Sequence, residues 1–108
     1  MWKYKLITTE DTQVCNAPCR VKKIALYHTA STTAIIYNEV VSSGSPTAAK
    51  KVWTLATKHE THLEAPDTIV DIEILHDEID FGDEGLDFYE GCYIDWVAAG
   101  TVLVVYKL

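Results

Sequence analysis

Apolar and polar residues alternate with a period of two in run after run of this chain, and the runs are short. In "WKYKL", Trp2, Tyr4 and Leu6 fall on one face and Lys3 and Lys5 on the other, the pattern of a half-buried strand. "CRVKKIALYHTA" and "AIIYNEVV" follow, rich in β-branched and aromatic residues, and the turn cluster "SSGSP" closes the second. In "TAAKKVWTLATKHE" the Ala, Lys and Leu residues are good helix formers, but Val52, Thr54 and Thr57 favour a strand, and a strand is expected. "TIVDIEIL" alternates again, with Val70, Ile72 and Ile74 opposite Asp71 and Glu73. "HDEIDFGDEGLDFYEG" reads as a long acidic loop holding three glycines. "CYIDWVA" and "TVLVVYK" close the chain as two strands about a short Gly-containing turn, the signature of a β-hairpin. "TVLVVY" is apolar on both faces. One face should meet the core, and the other needs a second layer or a partner.

Seven to eight short strands without a clear helix predict an all-β fold, an antiparallel β-sandwich with a jelly-roll arrangement equally open. The 108 residues suit one domain, residues 1–108, with no internal repeat, low-complexity tract or linker. The oily run "WVAAGTVLVVY" does not make a membrane helix. It falls short of the roughly 20 apolar residues a span needs and is broken by Gly100. "MWKYKLITTEDTQ" has no apolar segment of a secretory leader, so no membrane partner is expected and the cytoplasm is the simplest site of synthesis.

The formal net charge is −7, with acids crowded between Asp67 and Asp95. That sign opposes phosphate backbones, whose recognition rests on Lys and Arg, and no nucleic acid is expected as a partner. Three cysteines, Cys15, Cys19 and Cys92, make a poor disulfide framework.

The order of these pieces resembles small β-sandwich structural proteins of tailed bacteriophages. There a polar N-terminal segment leads to "P-x-R-V-x-x-I" and a strand ending in "T-x-S"; here Pro18, Arg20, Val21 and Ile24 stand at those places, then Thr29 and Ser31. "GLDFYEGCYIDWVAAGTVLVVY" is similar to the closing segment and final hairpin of those proteins, carried by Gly85, Phe88, Gly91 and Tyr93. The acidic insert from Glu60 to Asp87 departs from the pattern. The resemblance implies a virion structural protein, made in the host cytoplasm, of the capsid decoration (cement) type. Such a protein binds and stabilises the outer surface of a phage head. The resemblance implies the major capsid protein as partner and a homo-oligomer, a trimer, as the acting form. Alternatives are a tail or baseplate component, a Ca²⁺-dependent carbohydrate-binding module, and a small enzyme.

Candidate site residues follow. Trp2 and Tyr4 sit close to the terminus, where aromatics suit a subunit interface. The loop Ser42–Thr47, with Ser42, Ser43, Ser45 and Thr47, offers a second contact surface, as loops carry function on a rigid sandwich. Trp53 and Trp96 lie within strand patterns and are expected in the core. Asp77, Asp80 and Asp83 are the weak metal candidates. Their spacing of three misses the alternating register of an EF-hand loop, so a solvated acidic stretch is expected and no metal or other cofactor is assigned. "CNAPC" lacks the tight spacing of zinc pairs, and Cys15 and Cys19 are read as buried thiols, with a disulfide in the mature particle as the alternative. "KHETH" sets His59 and His62 around Glu60 but is not H-E-x-x-H, and a solvated loop is expected. No nucleophile elbow, phosphate loop or dinucleotide fingerprint occurs, and catalysis is not expected.

Overall fold

The computed structural model describes residues 1–28, 32–57, 63–64, 68–69, 75–97 and 100–108. Among the described residues eleven strands run in chain order: β1 (Lys3–Ile7), β2 (Thr12–Cys15), β3 (Cys19–His28), β4 (Thr32–Tyr37), β5 (Lys51–Thr57), β6 (Leu63–Glu64), β7 (Thr68–Ile69), β8 (Leu75–Asp80), β9 (Leu86–Phe88), β10 (Cys92–Trp96) and β11 (Gly100–Lys107). A single 3₁₀ turn, Ala48–Lys50, precedes β5, and no α-helix occurs among the described residues. The expected helix–strand competition over residues 47–60 thus divides. The Ala-rich start takes one helical turn, and the part with Val52 and Thr54 takes the strand. His59, Glu60, His62, Thr29, Ser31 and the alternating core of "TIVDIEIL" lie outside the described residues.

The strands form two antiparallel sheets packed as a β-sandwich, as the alternation predicts. The first has the order β1-β11-β3-β8, with β9 also pairing β3 beyond the end of β8; the second has the order β2-β10-β4-β5; β6 and β7 pair with each other. Inward side chains from both sheets build the core: Val21, Ile24, Leu26, Val102 and Val104 from the first, Ala34, Ile36, Leu55, Ile94 and Trp96 from the second. Each of these is almost fully removed from water, and each large aliphatic side chain so buried contributes about 1.5–3 kcal/mol.

Two expectations are corrected. The closing strands do not form a hairpin. β10 pairs with β2 and β4, and β11 pairs with β1 and β3, so the chain crosses from one sheet to the other between them. Each strand is apolar enough to need neighbours on both sides, and the connection has none of the Asn-Gly or Asp-Gly chemistry of a two-residue hairpin. The acidic stretch 76–90 is also not a loop. Residues 75–80 form β8 along β3, a turn held by the Gly85 amide on the Gly82 carbonyl (3.1 Å) follows, and β9 returns the chain to β3. Its alternation is real but hidden by charge. Leu75, Asp77 and Ile79 are half-buried, while His76, Glu78 and Asp80 are exposed.

Gln13 ties the second sheet to the loop after β4. Its side-chain nitrogen donates towards the carbonyls of Cys15 (2.8 Å), Glu39 (2.9 Å) and Cys92 (3.0 Å), and its oxygen accepts the Val41 amide (2.8 Å). The two N–H groups of the amide are shared among these three carbonyls, so one side chain links β2, β10 and the loop after β4.

Candidate interaction surface

The register of the first sheet fixes which residues share its outer face. Tyr4 stands opposite Val105, which stands opposite Lys23; Leu6 stands opposite Leu103, which stands opposite Ala25; Thr101 stands opposite Tyr27, which stands opposite His76. Paired residues of an antiparallel ladder point to the same side. Tyr4, Leu6, Leu103, Val105 and Tyr27 therefore form an apolar stripe on the side away from the core. Tyr4 is 74% exposed, Leu6 62% and Tyr27 36%. The expected half-buried face of "WKYKL" is thus uncovered: of β1 only Ile7 reaches the core, and Lys3 and Lys5 are exposed as well. The "second layer or partner" that "TVLVVY" needs on its other face is not supplied by any described residue beyond β1 and β3 themselves.

Trp2 borders the stripe and is half-buried. Its ring packs over the turn before β9, where a Cβ on Gly85 would come within 2.8 Å of Trp2 Cη2, and Gly85 has φ +77. Lys107 Nζ lies 4.6 Å and Lys22 Nζ 5.8 Å from the ring centroid, each in a cation–π arrangement. Of the other tryptophans, Trp96 is in the core at 2% exposure, but Trp53 is 48% exposed on the edge strand β5 and does not fill the core position expected of it.

The loop Ser42–Thr47 is exposed except for half-buried Pro46 and adjoins the second sheet. Glu39 anchors its far end. Glu39 Oε2 accepts the Thr47 amide and Oε1 its hydroxyl, each at 2.7 Å, and these bonds hold the Glu39 carboxyl below its ordinary range. Ser42, Ser43, Ser45 and Thr47 thus lie near the same end of the sandwich as Trp2 but by the other sheet. The structure does not join the two candidate surfaces into one.

Asp77, Asp80 and Asp83 are not gathered either. Asp77 points inward and accepts the Ala56 amide of β5 (2.9 Å), bridging the two sheets; Asp80 points outward and accepts the Gly82 amide (2.8 Å); Asp83 is exposed in the turn. Among the described residues no group of three or more His, Cys, Asp or Glu could hold a metal ion.

Two groups of side chains have perturbed acidity that composition alone does not show. Cys15, Cys19 and Cys92 are all free and buried, and Cys15 pairs with Cys92 across the ladder. Burial, then the hydrogen bond to Cys15, pushes Cys19 up to about 12, and burial pushes Cys92 well up. Their protons are held more tightly in the native state, so the stability they confer is full below about pH 9 and falls as the pH rises toward 12. The melting temperature is expected to drop progressively over that interval, and a thiol reagent at pH 8 should label none of the three until denaturant is added. Fast labelling of the native protein would contradict the burial.

The second group is Asp11 with Asp95. Asp11 has φ 51 and also accepts the Trp96 amide (3.3 Å). The hydrogen bond shared with Asp11, then burial, raises Asp95 above its ordinary value. The native state therefore holds a proton there that the unfolded chain releases. Its contribution is full below the ordinary carboxyl range and is lost as pH rises through the native value. Asp95→Asn is expected to raise the melting temperature by a few degrees at pH 7 and to change little at pH 3.5. An unchanged difference between the two pH values would remove the shared-proton account.

Comparison of the chain with protein-family profiles, curated proteins and solved structures finds no match. The functional reading therefore rests on the surfaces described above. Two shallow clefts, of about 300 and 220 Å³, flank Leu108; one is lined by Cys15 and Tyr106, the other by Pro18, Phe88 and the Arg20–Asp87 ion pair. Neither lining includes a histidine. "TVLVVY", apolar on both faces, signalled an outer apolar surface, but "WKYKL" looks the same whether its apolar face turns in or out, so the extent of the stripe was not legible.

Proposed function

We propose that the chain is a structural protein of a virus particle, of the capsid decoration type, that binds the outer surface of a phage head by a sheet face rather than by a catalytic cleft. The observation that carries this reading is the outer stripe of Tyr4, Leu6, Leu103, Val105 and Tyr27. Exposed apolar patches rimmed by polar groups mark interaction sites, and this one is rimmed by Lys23, Glu78 and His76. Several copies acting together would sum weak contacts into firm attachment, and the acidic surface would keep coated particles apart.

The test is co-sedimentation with purified heads, with tails run in parallel. Tyr4→Ala with Leu6→Ala is expected to cost the isolated fold little, since both side chains are exposed, and to weaken head binding by at least tenfold. Binding to tails alone would move the protein to the tail or baseplate. Full binding by the double variant would sink the stripe as the docking face. The calcium site of the carbohydrate-module reading gains no support, since Asp77 and Asp80 accept backbone amides on opposite faces of β8 and Asp83 is exposed in the turn.

A further inference from the structure

We propose that copies of this chain join edge to edge, β1 of one copy adding to β8 of the next, so that the first sheet continues across subunits. The inference rests on the multivalent reading above and names the surface that would bring the copies together.

Among the described residues both edges of the first sheet are open: no strand pairs with the free side of β1 or of β8. Open edges are ready templates for another chain, and charged residues on them commonly serve to prevent pairing. Here the two edges carry opposite charge. β1 carries Lys3 and Lys5, and β8 carries Asp77 and Asp80, none of which makes an ion pair among the described residues, while Glu78 of β8 is already paired with Lys23. Two β1 edges repel, and two β8 edges repel. Only β1 against β8 is matched, so the charges that forbid like pairing select the unlike one.

The backbone geometry fits the same pairing. The sheet has four main strands, all antiparallel, so β1 and β8 run in opposite directions. A second copy brought alongside in the same orientation therefore presents β1 antiparallel to β8, with inner and outer faces preserved. Hydrogen-bonded and non-hydrogen-bonded pairs alternate from strand to strand along each row. After an even number of strands, the free groups of β8 and those of the next β1 come into phase. The Glu78 amide already turns to the open edge, where Asp77 Oδ1 accepts it at 2.9 Å.

One register uses the whole of β1. Lys5 of the next copy stands opposite Asp77, Tyr4 opposite Glu78, Leu6 opposite His76, Ile7 opposite Leu75, and Lys3 opposite Ile79. The Glu78 amide then exchanges Asp77 Oδ1 for the Tyr4 carbonyl, which leaves that oxygen to face Lys5 while Oδ2 keeps the Ala56 amide. A one-residue slip would turn Tyr4 and Leu6 inward and is excluded by the pleat. Because the joined surfaces differ, the assembly is heterologous and forms a ring when its rotation closes. It also sets the apolar stripes of successive copies side by side on one outer surface.

The experiment is light scattering coupled to size exclusion over a protein concentration series. The wild type is expected to exceed the 12.1 kDa of one chain, and Lys3→Glu with Lys5→Glu to weaken association roughly a hundredfold with an unchanged circular dichroism spectrum. A second variant, Asp77→Lys, which sets like charge against Lys5 in this register, is also expected to be monomeric with an unchanged circular dichroism spectrum, and an equimolar mixture of the two variants to associate again. A wild type that stays at 12.1 kDa throughout, a lysine variant that keeps its full mass, or a mixture that stays monomeric would overturn the proposal. Those outcomes leave the head-binding reading standing through the stripe. Assemblies that respond to the charge swaps but ignore purified heads would overturn that reading and leave the edge pairing intact.

Discussion

Trp96→Ala is expected to destabilise the protein by about 3–5 kcal/mol, a large part of the stability of a domain this size. Trp96 is 2% exposed at the end of β10, between the sheets. Removing the indole opens a cavity that the flanking strands cannot fill without breaking their ladders. It also removes the Nε1–H that donates to the Thr9 carbonyl at 2.9 Å, leaving that oxygen without its indole partner. Urea unfolding should show the midpoint falling with little change in slope. Trp96→Phe separates the contributions, since it keeps most of the volume and loses only the hydrogen bond. A loss for Trp96→Ala below about 1 kcal/mol would mean that the sheets close over the gap.

Gly100→Ala is expected to cost on the order of 3 kcal/mol, more than overpacking usually costs at a side-chain contact. A Cβ at this position would lie 2.0 Å from the Tyr27 carbonyl oxygen and 3.0 Å from His28 Cα. The obstacle is the backbone of β3, which cannot swing aside as a side chain can. Gly100 is opposite His28 at the start of β11, where that strand enters the middle of its sheet. The backbones must therefore separate, and the first pairs of the ladder go with them. Amide exchange should quicken at Thr101 and Val102 before it does elsewhere. Unchanged melting would show that the strand end frays at no cost.

The architecture was legible because period two survives in most of the strands. "CRVKKIALYH" and "TVLVVYK" are strands as expected, but a bulge in β3 shifts its inward residues from Val21 to Ile24 and Leu26, and "TVLVVY", apolar on both faces, does not itself say which face turns in. The 3₁₀ turn and β8 show where local reading gives way. Ala and Lys favour a helix only until β4 offers Lys51–Thr57 a ladder, and a strand of charged residues reads as a loop until β3 lies beside it. The pairing of β10 and β11 with different sheets was not legible, because alternation says which face is apolar and never which strand is adjacent. The candidate site followed the same division. Trp2 and Tyr4 were singled out by position and Leu6 shares their face by alternation, whereas Leu103 and Val105 join them only through register.

The placement of β11 also governs when this chain can become a protein. It lies between β1 and β3, so those two strands have no partner in common until residues 100–107 have been made. β10, almost as late, holds β2 and β4 together in the other sheet. On a ribosome β4 can pair with β5, and β3 with β8 and β9, early, but the strands that join these pairs to β2 and β1 come last. Until β10 and β11 have been made, β1 and β2 stay unpaired and neither sheet is complete. Pairings so distant in sequence fold slowly, on the order of milliseconds to seconds.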